Sequence, residues 1–135
     1  MISPGYKSLG SFTVTIAGTY VGDAVELDGL LALTIKARFA YISGSGTCKL
    51  YIQSSSDNES TWDDVAAVAF ANTPETIMLN FSKLTPKLTQ LTPTDGAMSD
   101  DTAIDGIITS RMRCKIVTTG TYSGSTVLTV AGDAS

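Results

Sequence analysis

The stretch from Leu31 to Tyr41 alternates apolar and polar residues, and this alternation constrains the fold more than any other feature of the sequence. Thr34, Lys36 and Arg38 occupy the polar side. The apolar side consists of Leu31, Leu33, Ile35, Ala37, Phe39 and Tyr41. Successive side chains of a β-strand point to opposite faces, whereas the apolar residues of a helix recur every three to four positions. The stretch therefore predicts a half-buried strand and leaves little room for a helix.

Short apolar runs separated by turn residues continue along the rest of the chain. The predicted strands cover residues 12–16, 48–52, 65–70, 77–81, 107–119 and 125–131. Roughly seven or eight strands at short spacing predict an all-β protein, an antiparallel β-sandwich or jelly roll. At 135 residues, the chain fits a single domain, residues 1–135. Met1 to Leu9 and Asp133 to Ser135 are expected to be loose, and the last strand is expected at a sheet edge.

The turn after residue 52 carries Ser55, Asp57, Thr61 and Trp62 in the spacing Ser-x-Asp-x-x-x-Thr-Trp. This spacing resembles the Asp-box, a β-hairpin turn known from sialidase propellers and many surface β-proteins. The resemblance implies a structural role for all four residues. The Asp and hydroxyl side chains bind the backbone of the turn, as such side chains readily do, and the tryptophan packs under the hairpin. Replacing a buried tryptophan by alanine costs roughly 3–5 kcal/mol.

One position departs from the Asp-box pattern. The motif usually has glycine where this chain has Glu59. Glycine adopts a left-handed backbone conformation without penalty, whereas any other residue there costs about 1–2 kcal/mol. If Glu59 keeps that conformation, we therefore expect strain in the turn.

The strand pattern breaks between Leu84 and Asp105, where Pro86, Pro93 and an Asp-Gly pair predict a long loop. Loops longer than about 12–15 residues are usually functional or disordered. We therefore expect this loop to be a contact arm. Replacing Asp95 to Asp105 by a short Gly-Ser linker should leave the fold intact but weaken assembly. The candidate contact residues are Asp95, Asp100, Asp101 and Asp105.

The charge balance argues against nucleic acid as a partner. The formal net charge is −4, and phosphate binding needs a basic patch. One basic cluster, Arg111, Arg113 and Lys115, alternates with Met112 and Cys114, which predicts the outer face of one strand. That face is expected to be solvated or to contact another subunit. Because only 16% of the residues are charged, the surface as a whole suits packing against a partner.

The sequence offers little basis for catalysis. It contains no histidine, which removes Ser-His-Asp and Cys-His nucleophile systems and His-ligated zinc. Cys48 and Cys114 are predicted to be buried free thiols, with a disulfide between them as the alternative. No glycine-rich phosphate loop is present. We therefore predict neither an enzyme nor a cofactor.

Two acidic groups raise the question of calcium, which takes six to eight oxygen ligands. One is the acidic set of the long loop, and the other consists of Asp57, Glu59, Asp63 and Asp64. Neither has the spacing of an EF-hand loop, so we predict no metal site.

The sequence also shows no signal-peptide pattern and no apolar run of the ~20 residues that a membrane span requires. We therefore expect a cytosolic product with no membrane partner.

Two longer segments resemble small virion proteins of tailed bacteriophages. Residues 51–70 read YIQSSSDNESTWDDVAAVAF, and residues 111–130 read RMRCKIVTTGTYSGSTVLTV. The resemblance implies a structural protein made in the host cytoplasm and located in the virion. A capsid decoration (cement) protein is the first choice, and a tail or head–tail component the second. The implied partners are the major capsid protein or other virion proteins, and a homo-oligomer such as a trimer is expected.

Two other classes remain open. A carbohydrate- or receptor-binding β-sandwich would present several exposed aromatic side chains together. The candidates for such a platform are Tyr20, Tyr51, Trp62 and Tyr122. A small hydrolase would need a pair of acids across a cleft, with Asp57 and Asp64 as candidates.

Overall fold

The computed structural model describes residues 3–135, and that range contains β-strands and no helix. The strands are β1 (Gly5–Thr13), β2 (Ile16–Val21), β3 (Val25–Glu26), β4 (Ala32–Ala40), β5 (Ser43–Ser55), β6 (Asp63–Phe70), β7 (Glu75–Ser82), β8 (Thr102–Ala103), β9 (Arg111–Ser123) and β10 (Val127–Ala134). No helix that could cross a membrane occurs in this range. The all-β prediction is confirmed.

The strands form two antiparallel sheets that pack against each other. One sheet has the order β1-β10-β4-β7, and the other has the order β2-β9-β5-β6-β8, with β3 also paired to β9. The long strands pair as β1 with β10, β2 with β9, β4 with β7, and β5 with β6. This nested pairing is what results when one long hairpin is rolled up, and it defines a jelly roll. The turn between β5 and β6 is the tip of that rolled hairpin.

The core lies between the sheets and is formed by the inward-facing residues of the alternating strands. Inward-facing residues of β4 and β9 that are at most 2% exposed are Leu33, Ile35, Ala37, Phe39, Met112, Cys114, Ile116 and Tyr122. The ring of Phe39 stacks on that of Phe70, with their centroids 5.1 Å apart. Cys48 and Cys114 are both buried and unpaired, which confirms the prediction of free thiols.

The alternation at Phe12, Val14 and Ile16 belongs to two strands rather than one. β1 ends at Thr13 in the first sheet, and β2 begins at Ile16 in the second sheet. Val14 is fully buried at the corner, and its N–H donates to the Thr126 carbonyl at 2.8 Å. Val14 fills the core at the corner, whereas Ile16 beyond it is 63% exposed. The alternation in the sequence therefore gives no sign of the crossing.

The prediction of loose chain ends was wrong for the residues that the structure describes. β1 begins at Gly5, which pairs with Ala134 of β10, and β10 lies between β1 and β4 instead of at an edge. Met1 and Ile2 lie outside the described residues. The nested pairing brings the two ends of the rolled hairpin together. Backbone hydrogen bonds of a strand need no apolar pattern, so the sequence near the ends gave no strand signal.

Candidate functional site

The β5–β6 turn is held by the side chains of its own Asp-box residues. Ser55 Oγ accepts a hydrogen bond from the Glu59 N–H at 2.8 Å and lies 3.0 Å from Asp57 Oδ1. The Thr61 N–H donates to Asp57 Oδ1 at 2.9 Å, and the Thr61 hydroxyl donates to Asp57 Oδ2. These bonds lower the pKa of Asp57, the hydroxyl of Thr61 having the largest effect. The turn thus contains the side-chain-to-backbone bonds that the motif implies.

Glu59 occupies the position where the motif usually has glycine, and it adopts a left-handed conformation with φ of 68°. A non-glycine residue in this region costs about 1–2 kcal/mol. Its carboxylate lies 3.6 Å from Nε of Arg111, which also contacts Glu26 at 3.3 Å and Asp28 at 3.5 Å. Glu59 therefore combines a strained backbone with an ion pair that glycine could not form.

Trp62 is half-buried rather than part of the core. The guanidinium of Arg113 lies over its ring, 4.3 Å from the centroid. Arg113 belongs to the outer face of β9, because its neighbours Met112 and Cys114 point into the core. The tryptophan thus covers a cation on the outside of the sandwich, where the sequence predicted an aromatic buried under the hairpin.

The carboxylate of Asp64, at the start of β6, binds the long loop. It accepts hydrogen bonds from the N–H groups of Gly96, Ala97 and Met98 at 2.8–3.2 Å, and from the Thr94 hydroxyl at 2.9 Å. Asp64 is only 6% exposed. A buried carboxylate requires such partners, because an unpaired buried charge is strongly destabilising. The loop segment from 94 to 98 therefore has a fixed position against β6.

Gln53 connects Asp64 to the basic outer face of β9. Its Nε2 donates to Asp64 Oδ1 at 2.9 Å and to Asp95 Oδ1 at 2.7 Å, while its Oε1 accepts from Arg113 Nε at 2.9 Å. Asp95 also accepts from Lys115 Nζ at 2.9 Å. The pKa of Asp95 is lowered, chiefly by the hydrogen bond from Lys115 and then by that from Gln53. Gln53, which is fully buried, thus forms hydrogen bonds to β6, to β9 and to the long loop.

The other three acidic residues of the loop also contact their own chain. Asp100 pairs with Lys49 at 3.1 Å. Asp101 accepts from the Ala69 N–H at 3.1 Å on the edge of β6, and Asp105 accepts from the Ser82 N–H at 3.0 Å at the end of β7. The loop is therefore attached along its length from Thr94 onward. Whether these residues also contact a partner stays a prediction.

The basic cluster lies on the outer face of β9 as predicted, but it is not freely solvated. The side chains of Arg111 and Lys115 are each 19% exposed, because turns and the long loop cover them. The sequence places an acidic loop directly before a basic strand, and this complementarity was the signal that the two bind each other. Nothing in the sequence around Gln53 indicated that this residue joins the loop to the strand.

The residues considered as calcium ligands do not form a metal centre. Asp57 and Asp64 use their oxygens for hydrogen bonds within the turn and the loop. Nowhere in residues 3–135 do three or more acidic or cysteine side chains lie close enough together to hold an ion. The pKa of Asp63 is raised, first by partial burial and then by the nearby charge of Asp57.

The aromatic candidates for a sugar platform are dispersed. Tyr51 and Tyr122 are 5% and 2% exposed, and Trp62 stacks on Arg113. Tyr20 is half-buried against Phe12, with ring centroids 6.2 Å apart. These four residues therefore do not form the exposed aromatic platform that glycan binding needs.

Residues 83–93, here called the leucine arm, precede the attached part of the loop and are exposed throughout. Leu84 is 78% exposed, Leu88 is 93% exposed and Leu91 is 44% exposed. The arm carries Lys83 and Lys87 and no acidic residue. Three exposed leucines thus lie within eight residues of sequence, and contiguous exposed apolar patches typically mark contact sites.

Two depressions flank the loop. The smaller, of about 230 Å³, lies between Leu91 and Pro93 of the leucine arm and Val65 of β6. The larger, of about 360 Å³, lies between β7 and the edge formed by β6 and β8. We call the larger one the β7 groove, and its lining includes Val68, Glu75, Ile77, Leu79, Asp101 and Ala103.

No family model, no curated protein and no solved structure matches this chain. The functional argument therefore starts from the fold and from the contacts described above.

Proposed function

We propose that this chain is a non-enzymatic structural protein of a tailed-phage virion, foremost a capsid decoration protein that packs on the head and stabilises it. The observation that carries the proposal is the contrast between a braced sandwich and an exposed leucine arm. The loop from Thr94 onward is attached to the sandwich by Asp64 and Asp95, whereas Leu84 and Leu88 have no apolar cover. A rigid body with an apolar contact segment suits a role in assembly.

The fold supports this role by analogy. The nested strand order is that of the jelly roll, an architecture found in viral capsid proteins and lectins. Fold alone does not determine function. The analogy therefore gains its weight from residues 51–70 and 111–130, which resemble virion proteins. The first segment spans the end of β5 and all of β6, and the second spans β9 and the first half of β10.

The chemistry of the described side chains supports a non-catalytic role. Burial raises the pKa of Cys48 to about 12 and that of Cys114 to about 11, so both are protonated at neutral pH and are poor nucleophiles. The oxygens of Asp64 are surrounded by hydrogen-bond donors, which leaves this carboxylate without a role as a base. Asp57 is bound in the same way by Ser55 and Thr61.

The proposal is tested by titrating the purified protein onto heads of the phage that encodes it. Bound protein is quantified after sedimentation, and the melting temperature of the heads is measured with and without it. We expect saturation at a fixed ratio to the capsid protein and a higher melting temperature of the decorated heads. Binding to isolated tails but not to heads would assign the protein to the tail. Binding to neither particle would contradict a virion role.

A further inference from the structure

The leucine arm and the β7 groove have complementary surfaces on the same molecule. The arm exposes Leu84 and Leu88, and the groove is lined by apolar side chains, among them Ile77 and Leu79. The groove volume of about 360 Å³ exceeds the ~150 Å³ of an apolar cavity that takes up benzene. It is therefore large enough to receive leucine side chains.

The charges of the two surfaces are also complementary. The arm carries Lys83 and Lys87 without any acidic residue, and the charged residues lining the groove are Glu75 and Asp101. Opposite charges around an apolar contact favour correct partners and fix the register of docking. An arm seated in the groove would place lysines near carboxylates.

The free backbone edge of β7 offers a further contact for a docked arm. It is the last strand of its sheet, so one edge of its backbone has no strand partner in the sandwich. Such an edge is a template for another extended segment, and added strands are a common mode of recognition. Pro86 restricts the backbone of the arm, which reduces the entropy lost when the arm docks.

The arm of the same molecule does not fill this groove. Its two ends are held by the Ser82–Asp105 hydrogen bond and by the bond from Asp64 N–H to the Thr94 carbonyl. Between these anchors Leu88 is 93% exposed, so it lies outside any apolar site of its own chain. An occupant with the right shape and charge is the arm of another copy.

We infer that the chain self-associates by seating the leucine arm of one copy in the β7 groove of a second copy. Because every copy has both surfaces, reciprocal exchange closes a two-fold dimer, and head-to-tail exchange closes a ring. This inference concerns contacts between copies and does not require the virion role. Self-association without binding to heads would overturn the proposed function alone, and head binding by a protein that stays monomeric would overturn this inference alone.

The test is the mass of the full chain by analytical ultracentrifugation, from micromolar to near-millimolar concentration. We expect wild type to form a discrete oligomer. Leu88→Asp should weaken it at least about tenfold, because an apolar anchor is replaced by a charge that Glu75 and Asp101 repel. The matched control is Ile42→Asp, at an apolar residue that is 59% exposed and outside both surfaces. The control should leave the oligomer unchanged.

A charge exchange tests the register of the contact. Glu75→Lys and Lys87→Glu should each weaken association by about threefold, and the double variant should restore it. Both residues lie on the surface, so circular dichroism should show an unchanged fold for each variant. A wild type that stays monomeric at every concentration would overturn the inference. So would an oligomer that Leu88→Asp leaves intact, or a charge exchange that fails to restore association.

Discussion

The carboxylate of Asp64 accepts a hydrogen bond from the backbone N–H of Gly96 at 2.8 Å, across 32 positions of sequence. This contact joins the first residues of β6 to a loop that has no strand structure of its own at that point. The neighbouring N–H groups of Ala97 and Met98 point at the same carboxylate. Asp64 thus serves the loop much as a bound anion serves a cluster of backbone amides. This one side chain of the sandwich therefore fixes the loop segment from 94 to 98.

Asp64→Asn should lower the free energy of unfolding by about 2–4 kcal/mol. The substitution removes a charge that accepts several hydrogen bonds and turns an amide NH₂ toward backbone donors, which leaves buried groups unpaired. The matched control is Asp63→Asn, because burial and neighbouring acids raise the pKa of Asp63. Neutralising Asp63 should leave stability unchanged or raise it. Urea unfolding of both variants measures the difference, and equal losses would contradict the role assigned to Asp64.

Two substitutions of Glu59 separate the effect of its left-handed backbone strain from that of its ion pair. Glu59→Ala removes the contact with Arg111 and keeps the strain, whereas Glu59→Gly removes both. We therefore expect the glycine variant to be about 1 kcal/mol more stable than the alanine variant. Thermal unfolding of the two variants side by side gives this difference. A more stable alanine variant would mean that residue 59 carries no strain.

The sequence predicts the strands and the turn better than it predicts the contacts between them. Alternation identifies β4, and the Asp-box spacing identifies the bonds of Asp57, because both patterns depend on residues close in sequence. The docking of Asp95 on Lys115 depends on which strands become neighbours, and a single sequence does not determine that order. The loop therefore looked like a dispensable arm, although its second half is bound to the sandwich.

The same limit explains Trp62. A lone tryptophan in a hairpin predicts burial by its size alone. Its position over Arg113 follows from the pairing of β5 with β9, which sets Gln53 opposite Arg113. The sequence alone could not show whether the indole of Trp62 is covered by a cation on the outer face or is buried in the core, because the answer depends on that pairing.

Trp62→Ala should therefore cost only about 1–2 kcal/mol, less than the roughly 3–5 kcal/mol of a core aromatic. The loss comes from the stacking contact with Arg113 and from partial burial of the indole. A double-mutant cycle with Arg113→Ala isolates the stacking contact, which should contribute about 0.5–1 kcal/mol. Urea unfolding of the four proteins provides the values. A loss as large as for a core aromatic would place the indole in the core.

Stability should fall as the pH drops below about 4. The folded state lowers the pKa values of Asp57, Asp95 and Asp105. A carboxylate with a lowered pKa stabilises the fold above its unfolded pKa, and this contribution is lost as the pH falls through the folded pKa. Asp95→Asn removes one such group, so its stability should depend less steeply on pH in this range. A variant with an acid limb as steep as that of wild type would contradict the assignment for Asp95.

Stability should also fall at alkaline pH, through the buried cysteines. The pKa of Cys48 is raised to about 12 and that of Cys114 to about 11, because burial disfavours the thiolate. Because its pKa is raised in the folded state, each cysteine contributes fully to the free energy of unfolding below the unfolded pKa of about 8.5. This contribution is lost as the pH rises above that value, since the thiols of the unfolded chain ionise first. Cys48→Ala should weaken this alkaline limb while lowering stability at neutral pH through the cavity that it leaves. Urea unfolding between neutral pH and pH ~10 measures both effects, and an alkaline limb unchanged by Cys48→Ala would show that other groups cause the loss.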